Sequence, residues 1–226
     1  MSKKIIICSD GTWNTTLQTD RGRVVPSNVV RLARALVDDD EQYVFYDAGV
    51  GTGRGLWSHI WGGVTGAGLE QNIYDGYQFI IDHYTPGDEL FLFGFSRGAF
   101  TVRSLGGLPH RCGIIRRAAA ALPVAPAPTG QATVVATSPA RPLMEQARQV
   151  FRSGDHEASA AFKAQYSYPD STSTMIGVWD TVGALGIPSS WLNPRTWLLG
   201  GKSRYEFLNT GLNASIRAAY HAVTIH

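Results

Sequence analysis

The pentapeptide Gly94-Phe95-Ser96-Arg97-Gly98 follows directly on the run Glu89-Leu90-Phe91-Leu92-Phe93 and leads into a helix-like stretch, Ala99 to Leu105. A G-x-S-x-G with a strand before it and a helix after it admits few folds. The strand-to-helix turn must be so tight that its central residue takes a strained backbone geometry. The glycines two positions to either side remove side chains that would collide there. The serine hydroxyl then stands at the carboxyl end of a sheet, beside the first N–H groups of a helix. Those are the requirements of a serine nucleophile whose attack creates a tetrahedral oxyanion. The competing reading, a glycine-rich turn with an incidental serine, does not account for both flanks.

A serine nucleophile needs a base to take its proton and an acid to orient that base, and in α/β-hydrolases the three follow in the order serine, acid, histidine. Asp180 is the best-placed acid: it ends the apolar run Met175 to Trp179 and opens the turn Asp180-Thr181-Val182-Gly183. The competing role is an Asx-type turn cap. His59 and His83 precede the serine, His110 closely follows it, and His156 lies before Asp180. Chain order therefore leaves His221 and His226, and the apolar neighbours of His221 are equally those of a structural histidine. For the oxyanion, the N–H of Arg97 is one expected donor. The loop Asp10-Gly11-Thr12, after an earlier strand, is the expected second, because Gly11 would let a backbone N–H approach the substrate oxygen closely.

The rest of the chain agrees with a parallel α/β sheet. Ile5-Ile6-Ile7-Cys8 is a short continuous β-branched run, as in a strand buried on both faces, and it ends in the turn signal Ser9 to Asn14. Ser27 is placed to cap a helix whose apolar face is Val29, Val30, Leu32, Ala33 and Leu36. Tyr43 to Tyr46 reads as a second strand. Leu69, Ile73, Tyr77, Ile80, Ile81 and Tyr84 fall at helical spacing before the break at Pro86-Gly87-Asp88. Strands alternating with helices in this way argue for one α/β domain over residues 1–226. An Ala/Pro-rich insertion at about 118–142 is expected to be irregular, since closely spaced prolines forbid a continuous helix. A helix is expected from Leu143 to Phe151, a polar helical region from Ser153 to Glu157, and an amphipathic stretch from Asn213 to Ile225, with no clear strand before His221.

Several function classes find no footing. A net charge of +2 from 20 basic and 18 acidic residues, with the basic ones scattered singly or in pairs, gives no electrostatic reason to expect a nucleic-acid partner. Cys8 and Cys112 are too few for a disulfide framework, and Cys8 reads as a buried thiol. Gly201-Lys202-Ser203 ends like a P-loop but has Thr196 where the earlier glycine belongs. An aspartate-nucleophile phosphatase would need its nucleophile at Cys8. His and Cys spacings offer no zinc site. Lys3-Lys4 is followed by only four apolar residues before Ser9-Asp10, which does not make a cleavable leader, and no apolar run approaches the roughly 20 residues that span a bilayer. The expectation is a chain cytoplasmic as synthesised, with a leaderless route for any export.

Taken together, six ordered segments resemble one known group. They are Ser9-Asp10-Gly11-Thr12-Trp13-Asn14, Pro26 to Leu32, Tyr46 to Thr52, Gly94 to Arg103, Gly177 to Gly183, and Ala219-Tyr220-His221-Ala222. The chain resembles the α/β-hydrolase domain family that includes the phospholipase effectors of bacterial type VI secretion. The resemblance implies a three-layer α/β-hydrolase fold, a Ser96–Asp180–His221 triad, and hydrolysis of ester bonds, with phospholipids the best-known substrates. It implies no metal or organic cofactor. It also makes the glycine-rich stretch from Gly49 to Gly68 a shared feature, and Trp57 and Trp61 within it suit transient contact with a membrane surface. Two departures stand out. The family's acidic pair beyond the histidine is absent from Thr224-Ile225-His226, and the family domain continues further, so the chain reads as short at its carboxyl end or as a fragment. The alternatives to a lipid hydrolase are a hydrolase of small soluble esters, thioesters or peptides, and a non-catalytic binding module that keeps the fold.

Overall fold

The structure, a computed structural model, describes residues 2–11, 19–20, 23–49, 66–120, 141–170, 173–181 and 215–223. In chain order the elements are β1 (Lys4–Ser9), β2 (Thr19–Asp20), β3 (Arg23–Val24), α1 (Asn28–Ala35), β4 (Gln42–Asp47), α2 (Gly66–His83), β5 (Glu89–Phe95), α3 (Arg97–Cys112), α4 (Arg117–Ala120), α5 (Arg141–Ser153), α6 (His156–Tyr166), β6 (Ser173–Trp179) and β7 (Ile216–Ala222). The five longer strands form one sheet in the order β4-β1-β5-β6-β7, every pairing parallel. The residues 12–18, 50–65 with Trp57 and Trp61, 121–140 of the expected insertion, 182–214 and His226 lie outside the described set.

Sequence character explains which strands sit where. Ile5 to Ser9 of β1 are all buried, as expected of a continuous apolar run with layers on both sides. β5 alternates: Leu90 and Leu92 join the larger core with Ile5, Ile7, Ile176 and Val178, against α2, α3, α5 and α6. Phe91, Phe93 and Phe95 face the other way, with Ile6, Cys8 and Trp179, where α1 contributes Val29 and Leu32. Helices thus cover both faces of the sheet, and three layers result. α1 begins where its cap signal stands, with Ser27 Oγ accepting the Val30 N–H at 3.1 Å. On α5, Leu143, Ala147 and Phe151 recur at helical spacing and are buried. Glu70 of α2, 2% exposed, takes Arg148 and Arg152 of α5 at 2.9 Å each, so the two helices are joined by a buried charge that cannot lose its partners cheaply.

Two expectations are corrected. The polar region Ser153 to Glu157 is not part of one helix: α5 ends at Ser153, and Asp155 caps α6 by accepting the Glu157 and Ala158 N–H groups. The carboxyl-terminal stretch contains a strand, β7, which carries His221. Ile216-Arg217-Ala218-Ala219-Tyr220-His221-Ala222 is alanine-rich with a weak strand preference of its own. Its pairing with β6, from Ser173 with Ile216 to Trp179 with Ala222, overrides that preference.

The sheet order places a topological switch. From β1 the chain adds β4 on one side, then crosses to add β5, β6 and β7 on the other. Ligand crevices in open α/β sheets lie outside the carboxyl ends of the strands where the order reverses, here β1 and β5. At that point the backbones are close enough that Gly98 has no room for a side chain: a Cβ would lie 2.1 Å from the Ser9 carbonyl oxygen and 2.6 Å from that of Asp10. Gly98→Ala is therefore expected to push α3 off the end of β1 and to destabilise by about 1–3 kcal/mol or more, as overpacking does. Chemical denaturation of the variant against the parent measures this.

Candidate active site

β5 ends at Phe95 and α3 starts at Arg97, leaving one residue, Ser96, to make the turn. Its backbone is at φ 54° and ψ −117°, a region that a residue with a Cβ occupies at a cost of about 1–3 kcal/mol. Its N–H donates to the Trp179 carbonyl at 3.0 Å, so the β5–β6 ladder holds the turn from below. Serine is a favoured helix cap, and Ser96 occupies the cap position of α3, yet its hydroxyl makes no capping bond. Among the described residues only Ser96 and Asp180 are non-glycine residues at positive φ. Strained non-glycine backbone concentrates at functional positions, and here both instances fall on residues singled out for chemistry.

Asp180 follows β6 directly, at φ 43°, and its N–H donates to the Ala222 carbonyl at 2.9 Å. His221 is the penultimate residue of β7, exposed, and in register with Val178. Its Nε2 accepts the Thr181 N–H at 3.5 Å, a long and therefore weak bond. Ser96, Asp180 and His221 thus come to the carboxyl rim of three adjacent parallel strands. The imidazole is turned to the Thr181 amide.

Of the expected oxyanion donors, Arg97 stands as the first residue of α3, where a backbone N–H has no acceptor within the helix. Burial pushes its guanidinium below the ordinary arginine value. Asp10 requires a correction. Its N–H donates to the Asp47 carbonyl at 2.8 Å, because the β1–β4 ladder runs one residue beyond its last pair, Ser9 with Asp47. That N–H is not available to a substrate. The expectation for Gly11 is corrected in the same way, since its N–H donates to Asp10 Oδ1 at 2.7 Å.

Beside this loop is a polar cluster that sequence reasoning missed. Asp10 is 1% exposed, and its Oδ2 accepts from Ser27 Oγ at 2.7 Å and from the Tyr46 hydroxyl at 3.1 Å. Asp47 accepts from Ser9 Oγ at 2.9 Å, Asn72 Nδ2 at 2.8 Å and the Gly49 N–H at 3.0 Å. The signal available was the polar end of each strand, Ser9-Asp10 after β1 and Asp47 after β4, where side chains meet across the ladder. Burial, and then the Asp10 charge, pushes the Tyr46 phenol above its ordinary range. The same two causes push the Cys8 thiol up to about 12, so it is no thiolate nucleophile.

Residues 3–226 match the family described as T6SS, Phospholipase effector Tle1-like, catalytic domain. The chain belongs to that family. Its five-stranded parallel sheet with helices on both faces is the α/β-hydrolase-like architecture expected of the Tle1-like domain. The chain is also similar to a protein of the yeast Saccharomyces cerevisiae, named as uncharacterized protein YEL023C. The two are 31% identical over 130 residues, covering 51% of this chain and 18% of the yeast protein, so the Tle1-like domain corresponds to only a part of that relative. No solved structure matches the chain significantly. No described helix of the Tle1-like domain is long and apolar enough to cross a membrane.

Two outcomes follow from this geometry. Ser96→Gly removes the Cβ that makes φ 54° costly, so it should raise stability by about 1 kcal/mol while removing the hydroxyl; denaturant unfolding reads the first effect. Burial, outweighing its three hydrogen bonds, raises the Asp47 carboxyl above the ordinary value. The folded protein then holds that proton more tightly than the unfolded chain. The stability contributed is complete below the ordinary carboxylate range and is lost as pH rises through the raised folded value. Asp47→Asn cannot titrate, so its Tm relative to the parent should climb as pH rises from about 4 to about 8.

Proposed function

We propose that this chain is a serine hydrolase domain cleaving carboxylic ester bonds of lipids, phospholipids foremost, through an acyl-enzyme on Ser96. The observation that carries this reading is the serine at φ 54° and ψ −117°, at a cap position it does not use for capping, on the carboxyl rim of the sheet. Membership of a phospholipase effector catalytic-domain family supports the substrate class.

In the proposed reaction His221 turns from the Thr181 amide to Ser96 and takes its proton as the hydroxyl attacks the ester carbonyl. Asp180, on the adjacent strand end, fixes the imidazole tautomer and stabilises the imidazolium. The carbonyl oxygen, now an oxyanion, takes the Arg97 N–H at the start of α3 as a donor. His221 returns its proton to the leaving alcohol. Water then releases the acyl group by the same route, and the enzyme is restored. No step calls on a cofactor.

A fluorophosphonate probe and ester turnover test this. The parent chain should label at Ser96, and Ser96→Ala should lose labelling and at least about a thousandfold in turnover, as should Asp180→Asn and His221→Ala. Labelling of Ser96→Ala equal to the parent would sink the nucleophile assignment. Turnover of phospholipid vesicles against short acyl esters decides the substrate class: a preference for the short esters would move the reading to a soluble-ester hydrolase.

A further inference from the structure

We propose that Asp10 is a positioning residue: its buried carboxylate clamps its own backbone and that of Gly11 against the first turn of α3, holding that turn, with Ser96 and the Arg97 N–H, in place for the attack. This rests on the hydrolase reading above, and it gives Asp10 a different part from the amide donor expected of it.

The carboxylate gathers segments that are far apart in sequence. It accepts the Gly11 N–H from its own loop, the Ser27 hydroxyl from the start of α1, and the Tyr46 hydroxyl from β4, at 2.7, 2.7 and 3.1 Å. Ser27 Oγ meanwhile accepts the Val30 N–H at 3.1 Å, so its hydrogen is directed to Asp10. The backbone of the same residue is wedged between two glycines. A Cβ on Gly98, second residue of α3, would lie 2.6 Å from the Asp10 carbonyl oxygen, and one on Gly49 would lie 2.7 Å from the same oxygen and 2.7 Å from that of Gly11. The side chain therefore anchors a loop whose main chain touches the nucleophile helix on one side and the end of β4 on the other. Both contacts are at the switch point of the sheet, where Ser96 also lies.

The clamp needs a carboxylate. Among the described residues three donors converge on its two oxygens, and a carboxylate is acceptor-only. An asparagine has the same shape but one acceptor oxygen, and its NH₂ would face hydroxyls already oriented as donors. The fold would keep its packing while the loop lost its fixed position. Because the Asp10 backbone abuts Gly98, that loss moves the first turn of α3, and an Arg97 N–H displaced by even about 1 Å acts on the transition state far more than on substrate binding, so the loss belongs in kcat and not in KM.

The experiment compares the parent, Asp10→Asn, Tyr46→Phe and the double variant for fluorophosphonate labelling rate at Ser96, kcat and KM on a short acyl p-nitrophenyl ester, and Tm. Asp10→Asn should label and turn over about a hundredfold more slowly with KM unchanged within about twofold. Tyr46→Phe, which removes one donor and leaves the carboxylate, should lose about tenfold in kcat. The double variant should be no slower than Asp10→Asn alone, because both act through the same clamp. Asp10→Asn labelling at the parent's rate overturns the proposal, as does a rate loss no larger than its unfolded fraction. Should Asp10→Asn not fold, Tyr46→Phe decides: a parental kcat in that variant overturns the proposal. A parent chain that does not label at Ser96 overturns the hydrolase reading, and the clamp falls with it.

Discussion

The ladder between β1 and β5, running from Lys4 with Glu89 to Ser9 with Gly94, is the constraint on which the rest of the molecule depends. Because the two strands are parallel and in this register, they finish together. The residues just past their ends are then neighbours, Asp10-Gly11 on one side and Ser96-Arg97 on the other. The contact is backbone against backbone, through Gly98, and leaves no slack for a side chain. Parallel pairing then repeats the arrangement outward: Trp179 receives the Ser96 N–H, and Ala222 lies beside Trp179 and receives the Asp180 N–H. Residues widely separated along the chain are gathered on one rim by strand ends alone.

How much of this could be read from the residues depended on the range of the forces involved. The buried strands β1 and β5, the cap at Ser27 and the tight turn at Ser96 are set by near neighbours, and each is written locally in apolar runs, cap chemistry and flanking glycines. The strand β7 is not, since its alanines express no preference until β6 supplies the partner groups. The break between α5 and α6 rests on Gly154-Asp155, a short signal inside a stretch otherwise compatible with helix. Chain order brought Ser96, Asp180 and His221 into view as candidates, but not the orientation of the imidazole. Asp10 was visible as part of a loop near the expected oxyanion. Its engagement with Asp47, Ser27 and Tyr46 is a property of three segments meeting in space, which no single window of sequence contains.

Two kinds of unfavourable free energy are held in this rim. One is conformational, in Ser96 and Asp180 at positive φ. The other is electrostatic, in Asp10 and Asp47, acids taken out of water and compensated by hydrogen-bond donors supplied from neighbouring segments. Both are tolerated because the apolar layers beneath are extensive, with Ile5, Ile7, Leu90, Leu92 and Leu105 fully buried. A well-packed sheet allows its edge to be strained, and strain fixed in advance need not be created during a reaction.

The strand that carries His221 has a consequence of its own. Among the described residues β7 pairs with β6 alone, and most of its side chains are exposed, whereas β5 is flanked on both sides and covered on both faces. Amide hydrogens of β7 should therefore exchange with solvent through small local openings, well before those of β1 and β5, which await global unfolding. The candidate nucleophile and its candidate base thus belong to different tiers of cooperativity. Mild denaturant would part them first, leaving a folded sheet with its serine still in place and its histidine adrift.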